Sequence, residues 1–401
     1  MTDEAARACD DVQHAADRSR DALGSQSRAP SGAARAPDVF SFIAGEGGCE
    51  RSSVARSRRL KWLHSMLLLL GAALLVVLVL EIGPAKLWAD ARSVGWGIVP
   101  IAALSGVEHF LHMLAWRRCF HREPKPGRTR LFAAHLAGNA ISFVTPTATV
   151  GGEVARVTLM PRDMAPSVAV AATTVDRLAW SLADVVLSLA GVTVILVRAP
   201  MSRAVQWGLI GGVTALTLGV AGFLWMQRGG RAISFFTKNR LVKKLGGARL
   251  AERLARGGSA VDREIEAYHR ERGSDLWISV ALHVLAISMA ALQLALFLAL
   301  IGKPASAFDI VCVFLVGSAI DVASFFVPAR LGAQEATRMF ATKIVGLGAE
   351  TGLVFSLVLR VEQIVWAGIG LIAYTAFMPG GARPRPSNRD RANEPEHESV
   401  A

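Results

Sequence analysis

Long stretches dominated by apolar residues set the organisation of this chain: Trp62–Ile82, Val94–Trp116, Ser167–Val197, Gln206–Met226, Trp277–Ile301, Ala307–Val327 and Gly352–Phe377. Each is long enough to cross a hydrocarbon core of about 30 Å as a helix. The pattern predicts an all-α, polytopic membrane protein of about seven to eight transmembrane helices. Two segments between these runs break the rule. SFVTPTATVGGEVAR (Ser142–Arg156) and SFFVPARLGAQEATR (Ser324–Arg338) lie in apolar surroundings, yet Pro, Gly and charge interrupt them.

The two segments are copies of one pattern. Each has Ser-Phe, then Pro146 or Pro328, a Glu seven residues on (Glu153, Glu335) and an Arg three beyond that (Arg156, Arg338). A polar residue precedes each Pro by seven, Asn139 and Asp321, and the following long helix is charged, at Asp176-Arg177 and at Arg360 with Glu362. Internal repeats with broken helices are a common way to build transporters, with the substrate site at the breaks.

The residue types suit an anion. Pro ends the preceding helix, and Gly151, Gly152 and Gly332 allow a tight turn with close backbone approach. Helices restarting near Val150 and Ala333 would aim free N–H groups into the membrane, a setting that attracts phosphate. Arg156 and Arg338 add guanidinium forks. Glu153 and Glu335 would pair these arginines in the empty state, or hold a proton or a cationic headgroup. The competing expectation is plain: each Glu-x-x-Arg is a surface i,i+3 pair worth about 0.2–0.5 kcal/mol.

Asp184 is a further charge inside an apolar run, and with Asp321 it is a candidate for a polar path. Asp176, Arg177, Arg360 and Glu362 serve equally well as structural ion pairs near helix ends. Glu108 and His112 share a helix face at i,i+4 beside His109, but no further ligands stand at a spacing that fits a metal. A polar contact between helices is the expectation there, with no metal and no cofactor. Cys9, Cys49, Cys119 and Cys312 have no pairing spacing and read as free thiols.

Charge then orients the chain. With 44 Lys and Arg against 32 Asp and Glu, the net charge is +12. The basic residues cluster before Lys61, after Trp116 and in the insert after Met226, and such clusters mark the cytoplasmic side. They agree only if Leu131–Met164 enters from that side and returns, as a re-entrant hairpin. For Pro328–Glu350 two readings stand: a second cytoplasmic-side hairpin with the tail outside, or a crossing with the tail inside. Residues 1–60 and 379–401 are polar and read as disordered arms around a membrane domain at 61–378. The insert at 227–274 reads as one or two basic amphipathic helices suited to anionic inner-leaflet lipid. Neither a nucleoside-triphosphate loop nor a hydrolase motif stands in the chain.

"NAISFVTPTATVGGEVARVTLM", "VDRLAWSLADVV" and "FFVPARLGAQEATRMF" resemble the signature regions of the flippase-like integral membrane family named for the transmembrane region of lysylphosphatidylglycerol synthase. The resemblance covers about Lys61–Phe377, and the second motif is also similar to the branch found with hopanoid biosynthesis. Ala329 and Ala333 depart from it, standing where the motif has Gly. The resemblance implies a multi-span bacterial inner-membrane protein, N-terminus cytoplasmic, that moves a phospholipid or hopanoid between leaflets. It also implies no ATPase, and no aminoacyl-transfer domain after Phe377. The partners expected are therefore a membrane lipid, anionic inner-leaflet lipids and lipid-synthesis enzymes, with no nucleic acid. Two other readings stay open. One is a non-transporting scaffold for lipid or hopanoid synthesis enzymes; the other is an intramembrane enzyme built on Glu108, His109 and His112.

Overall fold

A helix satisfies its own backbone hydrogen bonds, which is what an apolar run needs where water is absent. In the computed structural model, which describes residues 92, 94–144, 149–237, 240–323 and 332–377, every regular element is accordingly helical. In chain order these are α1 (Ile98–Arg118), α2 (Arg128–Val144), α3 (Thr149–Thr158), α4 (Pro166–Arg198) and α5 (Arg203–Arg228). Then follow α6 (Ala232–Thr237), α7 (Arg240–Leu300), α8 (Ala307–Ala323), α9 (Ala333–Ile344) and α10 (Ala349–Phe377). Among the described residues five stretches are long and apolar enough to cross a membrane: Gly95–Arg118, Pro166–Arg198, Arg203–Arg228, Gly257–Leu300 and Ala349–Phe377. The protein is an all-α polytopic membrane protein. The expected run Trp62–Ile82 and the arms at 1–60 and 379–401 lie outside the described residues.

The direction of each helix follows from its end contacts. Just after α1, Arg122 Nη2 is 2.6 Å from Glu264 Oε1 of α7, and Arg118 lies 3.6 Å from Asp275. At the other end of the pair, Gln293 Nε2 donates to Ser105 Oγ at 2.6 Å. So α1 and α7 are antiparallel, with arginines closing α1 and α5 at one end, called here the basic end. A large apolar cluster around Trp116, Leu131, Leu159 and Tyr268 fills that end; a second one around Ile101, Phe297, Val316 and Phe355 fills the far end. The polar side chains of the interior lie between the two.

The first broken segment is the expected hairpin. Arg130, at the start of α2, donates from Nε to the carbonyl of Leu159 just past α3, at 2.7 Å. The two arms therefore begin and end at the basic end. Gly152 of α3 rests on the backbone carbonyl of Gly138 in α2, and a Cβ there would collide with it. Gly151 and Gly152 thus lie inside α3, where the expectation was a turn, and Gly152 serves close packing. Gly152→Val is predicted to destabilise the fold by about 1–3 kcal/mol, read as a lower unfolding midpoint in detergent. Gly208→Val on α5, where nothing lies within 4 Å, should leave that midpoint unchanged.

The second segment differs from both expectations. Lys303, before α8, donates from Nζ to Thr351 Oγ1 of α10 at 3.2 Å, so α8 and α9 leave the far end and return to it. Read as a crossing helix, Ala307–Val327 is instead one arm of a hairpin; α8 has 17 residues, about 25 Å of helix. The second hairpin enters from the end opposite to the first. From the far end α10 crosses to the basic end, where Tyr374 and Phe377 pack against the Trp116 cluster. This places the end of α10 at the basic end, beside the arginines that close α1. In the insert at 227–274, α5 ends at Arg228, α6 follows at Ala232–Thr237, and from Arg240 the chain is the first part of α7, one helix of 61 residues that runs on into its span.

Opposite entry makes α2–α3–α4 and α8–α9–α10 inverted copies, and their packing is reciprocal. Gly191 of α4 lies against the Leu315 carbonyl and Ala319 of α8. Gly370 of α10 lies in the same way against the Leu136 carbonyl and Ala140 of α2. Each hairpin is thus wedged against the long helix of the other half. On the outside, α5 shows its apolar side chains to the surroundings, Trp207 and Trp225 among them.

Candidate functional site

Each hairpin carries its Glu and Arg on its second arm, the first set on α3 and the second on α9. Glu153 and Arg156 are one turn apart on α3, and Arg156 is only 4% exposed. Its Nη2 donates to Asp176 Oδ2 of α4 at 2.8 Å, and its Nη1 donates to Glu153 Oε2 at 3.3 Å. The guanidinium carbon sits 4.0 Å above the Trp116 ring. Arg177 of α4 donates to the other oxygen of Glu153. Two guanidinium groups and two carboxylates therefore balance in one network, with Arg156 and Asp176 buried and Glu153 and Arg177 partly exposed at its edge.

The second half repeats the arrangement. Glu335 of α9 is fully buried, at 0% exposed, and accepts from Arg360 Nε of α10 at 2.8 Å. Arg360 also donates to Gln363 at 3.1 Å. The Glu-to-Arg bond that ties a hairpin to its own long helix spans 24 residues in the first half and 25 in the second. Arg338 stands 6.0 Å from the Phe355 ring and close enough to Glu108 and Glu362 for its charge to act on both. Glu362 is buried, within reach of the Ser105 hydroxyl. Gly332 caps α9 at φ 74°, a backbone conformation that glycine takes without strain. The N-termini of α3 and α9 both lie at the inner tips of the hairpins.

These burials decide against surface ion pairs. An exposed pair is worth little, whereas breaking a buried one costs about 3–5 kcal/mol. Arg156, Glu153, Asp176 and Arg177 form one group; Glu335, Arg360, Arg338 and Glu362 gather in the other half. Asn139 places its amide 3.0 Å from His135 Nε2 on its own helix and 3.4 Å from His109 Nδ1 of α1. Asp184 is half-buried about two turns further along α4. Asp321 falls in the last turn of α8, and Pro146 and Pro328 lie outside the described residues.

Three site residues, His283, His135 and Trp116, had no mark in the sequence reading, and His112 was marked only as a polar contact. His283 of α7 places Nε2 3.1 Å from Asp176 Oδ1 and Nδ1 2.8 Å from His112 Nδ1. His112 stacks on Trp180 with ring centroids 4.0 Å apart, and His135 lies beside it. Trp116 floors the Arg156 site. A histidine inside an apolar run is a signal of the same kind as an acid there, and applied to His135 and His283 it would have found both. Glu108 and His112 do meet other helices, as expected of a polar interhelical contact. Among the described residues no group of three or more His, Cys, Asp or Glu is arranged to hold a metal ion.

Several polar atoms here are buried with no hydrogen-bond partner among the described residues: Arg156 Nε, His112 Nε2, His135 Nδ1 and Glu335 Oε2. Native interiors leave few such atoms, and these four of the eight found lie on or beside the two hairpins.

The family model described as the lysylphosphatidylglycerol synthase TM region matches residues 65–370, a span that includes both hairpins and both long helices. No curated protein and no solved structure matches.

Proposed function

Because the chain belongs to the lysylphosphatidylglycerol synthase TM region family, we propose that it moves an anionic phospholipid between leaflets, by exchange at its two hairpins and without making or breaking a bond in the lipid. The observation that carries this is the buried Arg156, held by Glu153 and Asp176 in the last turn of the first hairpin's second arm. A phosphate can take over the guanidinium from those carboxylates, because both are acceptors for the same fork. The acyl chains stay in the bilayer while the headgroup passes the polar middle. An anion-matched guanidinium favours a phosphate-bearing headgroup over an uncharged hopanoid.

The inverted hairpins support an alternating path. One hairpin closes the site toward the basic end and the other closes it toward the far end, each latched by its own Glu–Arg pair. The basic end faces the cytoplasm of a bacterial inner membrane by the positive-inside rule, and the driving force is a lipid gradient or an ion gradient, with no nucleotide. Purified protein in liposomes carrying a headgroup-labelled anionic phospholipid tests this. Quenching the outer leaflet with an impermeant reductant should leave less protected fluorescence than in protein-free liposomes. Equal protection in the two would reject transport and leave a scaffold for lipid-synthesis enzymes.

A further inference from the structure

We propose that Glu108, His112, His283 and Asp176 form a proton relay that loads a proton beside Arg156 when an anionic headgroup enters, so that lipid movement is coupled to protons. The proposal rests on the lipid reading above and adds what accompanies the lipid.

The file runs across three helices. From α1, His112 Nε2 faces Glu108 Oε1 at 3.7 Å. From His112 Nδ1 the chain passes to His283 Nδ1 at 2.8 Å, and from His283 Nε2 to Asp176 Oδ1 at 3.1 Å. Its tautomers follow from one fixed end. Asp176, ionised against Arg156, only accepts, so His283 donates from Nε2 and must accept at Nδ1. His112 therefore donates from Nδ1 and leaves Nε2 bare. That nitrogen is the buried atom of His112 with no hydrogen-bond partner, and it faces Glu108. All hydrogens thus point toward Asp176. A proton delivered by Glu108 to His112 Nε2 releases the Nδ1 proton to His283, which releases its Nε2 proton to Asp176. The 3.7 Å step is the one link longer than a hydrogen bond, and closing it gates the relay.

Charge balance supplies the reason for transfer. In the empty site Arg156 and Arg177 offset Glu153 and Asp176. A phosphate that takes Arg156 leaves the group one negative charge in excess, which is costly away from water. Protonating Asp176 restores neutrality. At the other end of the relay, Glu108 and Glu362 share the charge of Arg338, so at most one of the two carboxylates is balanced by it. Glu108, with its side chain 30% exposed, regains its proton from water. The charged and titratable groups facing the two relay histidines are Glu108 and His109 on α1, His135 on α2, Arg156 on α3, and Asp176 and Arg177 on α4. On return of the lipid the same steps run backward.

The test measures protons and lipid together on the purified full chain in weakly buffered detergent. Addition of dioctanoyl phosphatidylglycerol should cause uptake of about one proton per lipid bound, read with a pH dye. In His112→Gln the ratio of protons taken up to lipid bound should fall at least five-fold. A structural role for His112 would lower binding and uptake together, without changing that ratio. Lipid bound without proton uptake would overturn the relay and leave the lipid reading intact. Failure to bind any phosphatidylglycerol would sink both. Uptake driven equally by inorganic phosphate would keep the relay and reassign its ligand from a headgroup to a free anion.

Discussion

Arg156→Ala is expected to reduce anionic-lipid movement by about 30-fold or more, since truncating one partner of a buried, hydrogen-bonded charge pair costs about 2–5 kcal/mol. Stability in detergent should fall as well. The guanidinium donates to Asp176 and Glu153 and covers Trp116, so its removal leaves two carboxylates at the centre of the bundle with only Arg177 as a cation bonded to them. Stability and function can be separated by pairing the change with its partner. Arg156→Ala/Asp176→Ala should recover part of the lost unfolding temperature, because the uncompensated carboxylate is gone, yet recover none of the lipid movement. Arg156→Lys keeps the charge and loses the fork, and should fall between. As a reference, Arg122→Ala removes an exposed pair with Glu264, and such pairs contribute about 0–1 kcal/mol. Flip rates in Arg156→Ala equal to wild type, at equal reconstituted protein, would remove Arg156 from the path.

The residues that make this prediction possible were visible in unequal degree. Glu153, Arg156, Glu335 and their long-helix partners stood out because a charge in an apolar run is costly and the same spacing occurred twice. Which charges meet was less legible. Glu335 takes Arg360, 25 residues away, and a local reading would pair it with Arg338 one turn on. The histidines were hidden because the contacts that give them meaning span 107 residues, from His283 to Asp176, and 171 residues, from His112 to His283. No local period encodes such distances. The second hairpin was misread for a different reason. Ala307–Val327 is apolar enough to cross, and hydropathy records the environment of a helix without recording whether the chain turns back inside it. Only the bond from Lys303 to Thr351 shows that it does. A single crossing more or less inverts the topology of everything after it, so this one segment decided between two parallel hairpins and an inverted pair.

That inversion carries the other large expected effect. Each hairpin is tied to its own long helix by one ion pair, half-exposed for Glu153 with Arg177 and buried for Glu335 with Arg360, while its first arm is wedged against the long helix of the other half. Loosening one latch should therefore favour the state open on that side and disfavour the state open on the other. Glu335→Ala is predicted to raise reaction of a cysteine at Ser318, on α8, with an impermeant thiol reagent applied from the far end. It should also lower reaction of a cysteine at Ser142, on α2, from the basic end. Changes of about ten-fold are expected, since losing a latch of 1.4 kcal/mol already shifts a two-state equilibrium by that factor. Glu153→Ala should do the reverse. The measurement needs a background without Cys9, Cys49, Cys119 and Cys312, of which Cys119 and Cys312 are buried. If both cysteines became more reactive in either variant, the latches would serve stability alone. If the two responses are opposite in sign, the repeated Pro, Glu and Arg spacing encodes two gates that exclude one another, which is what a carrier needs and a scaffold does not.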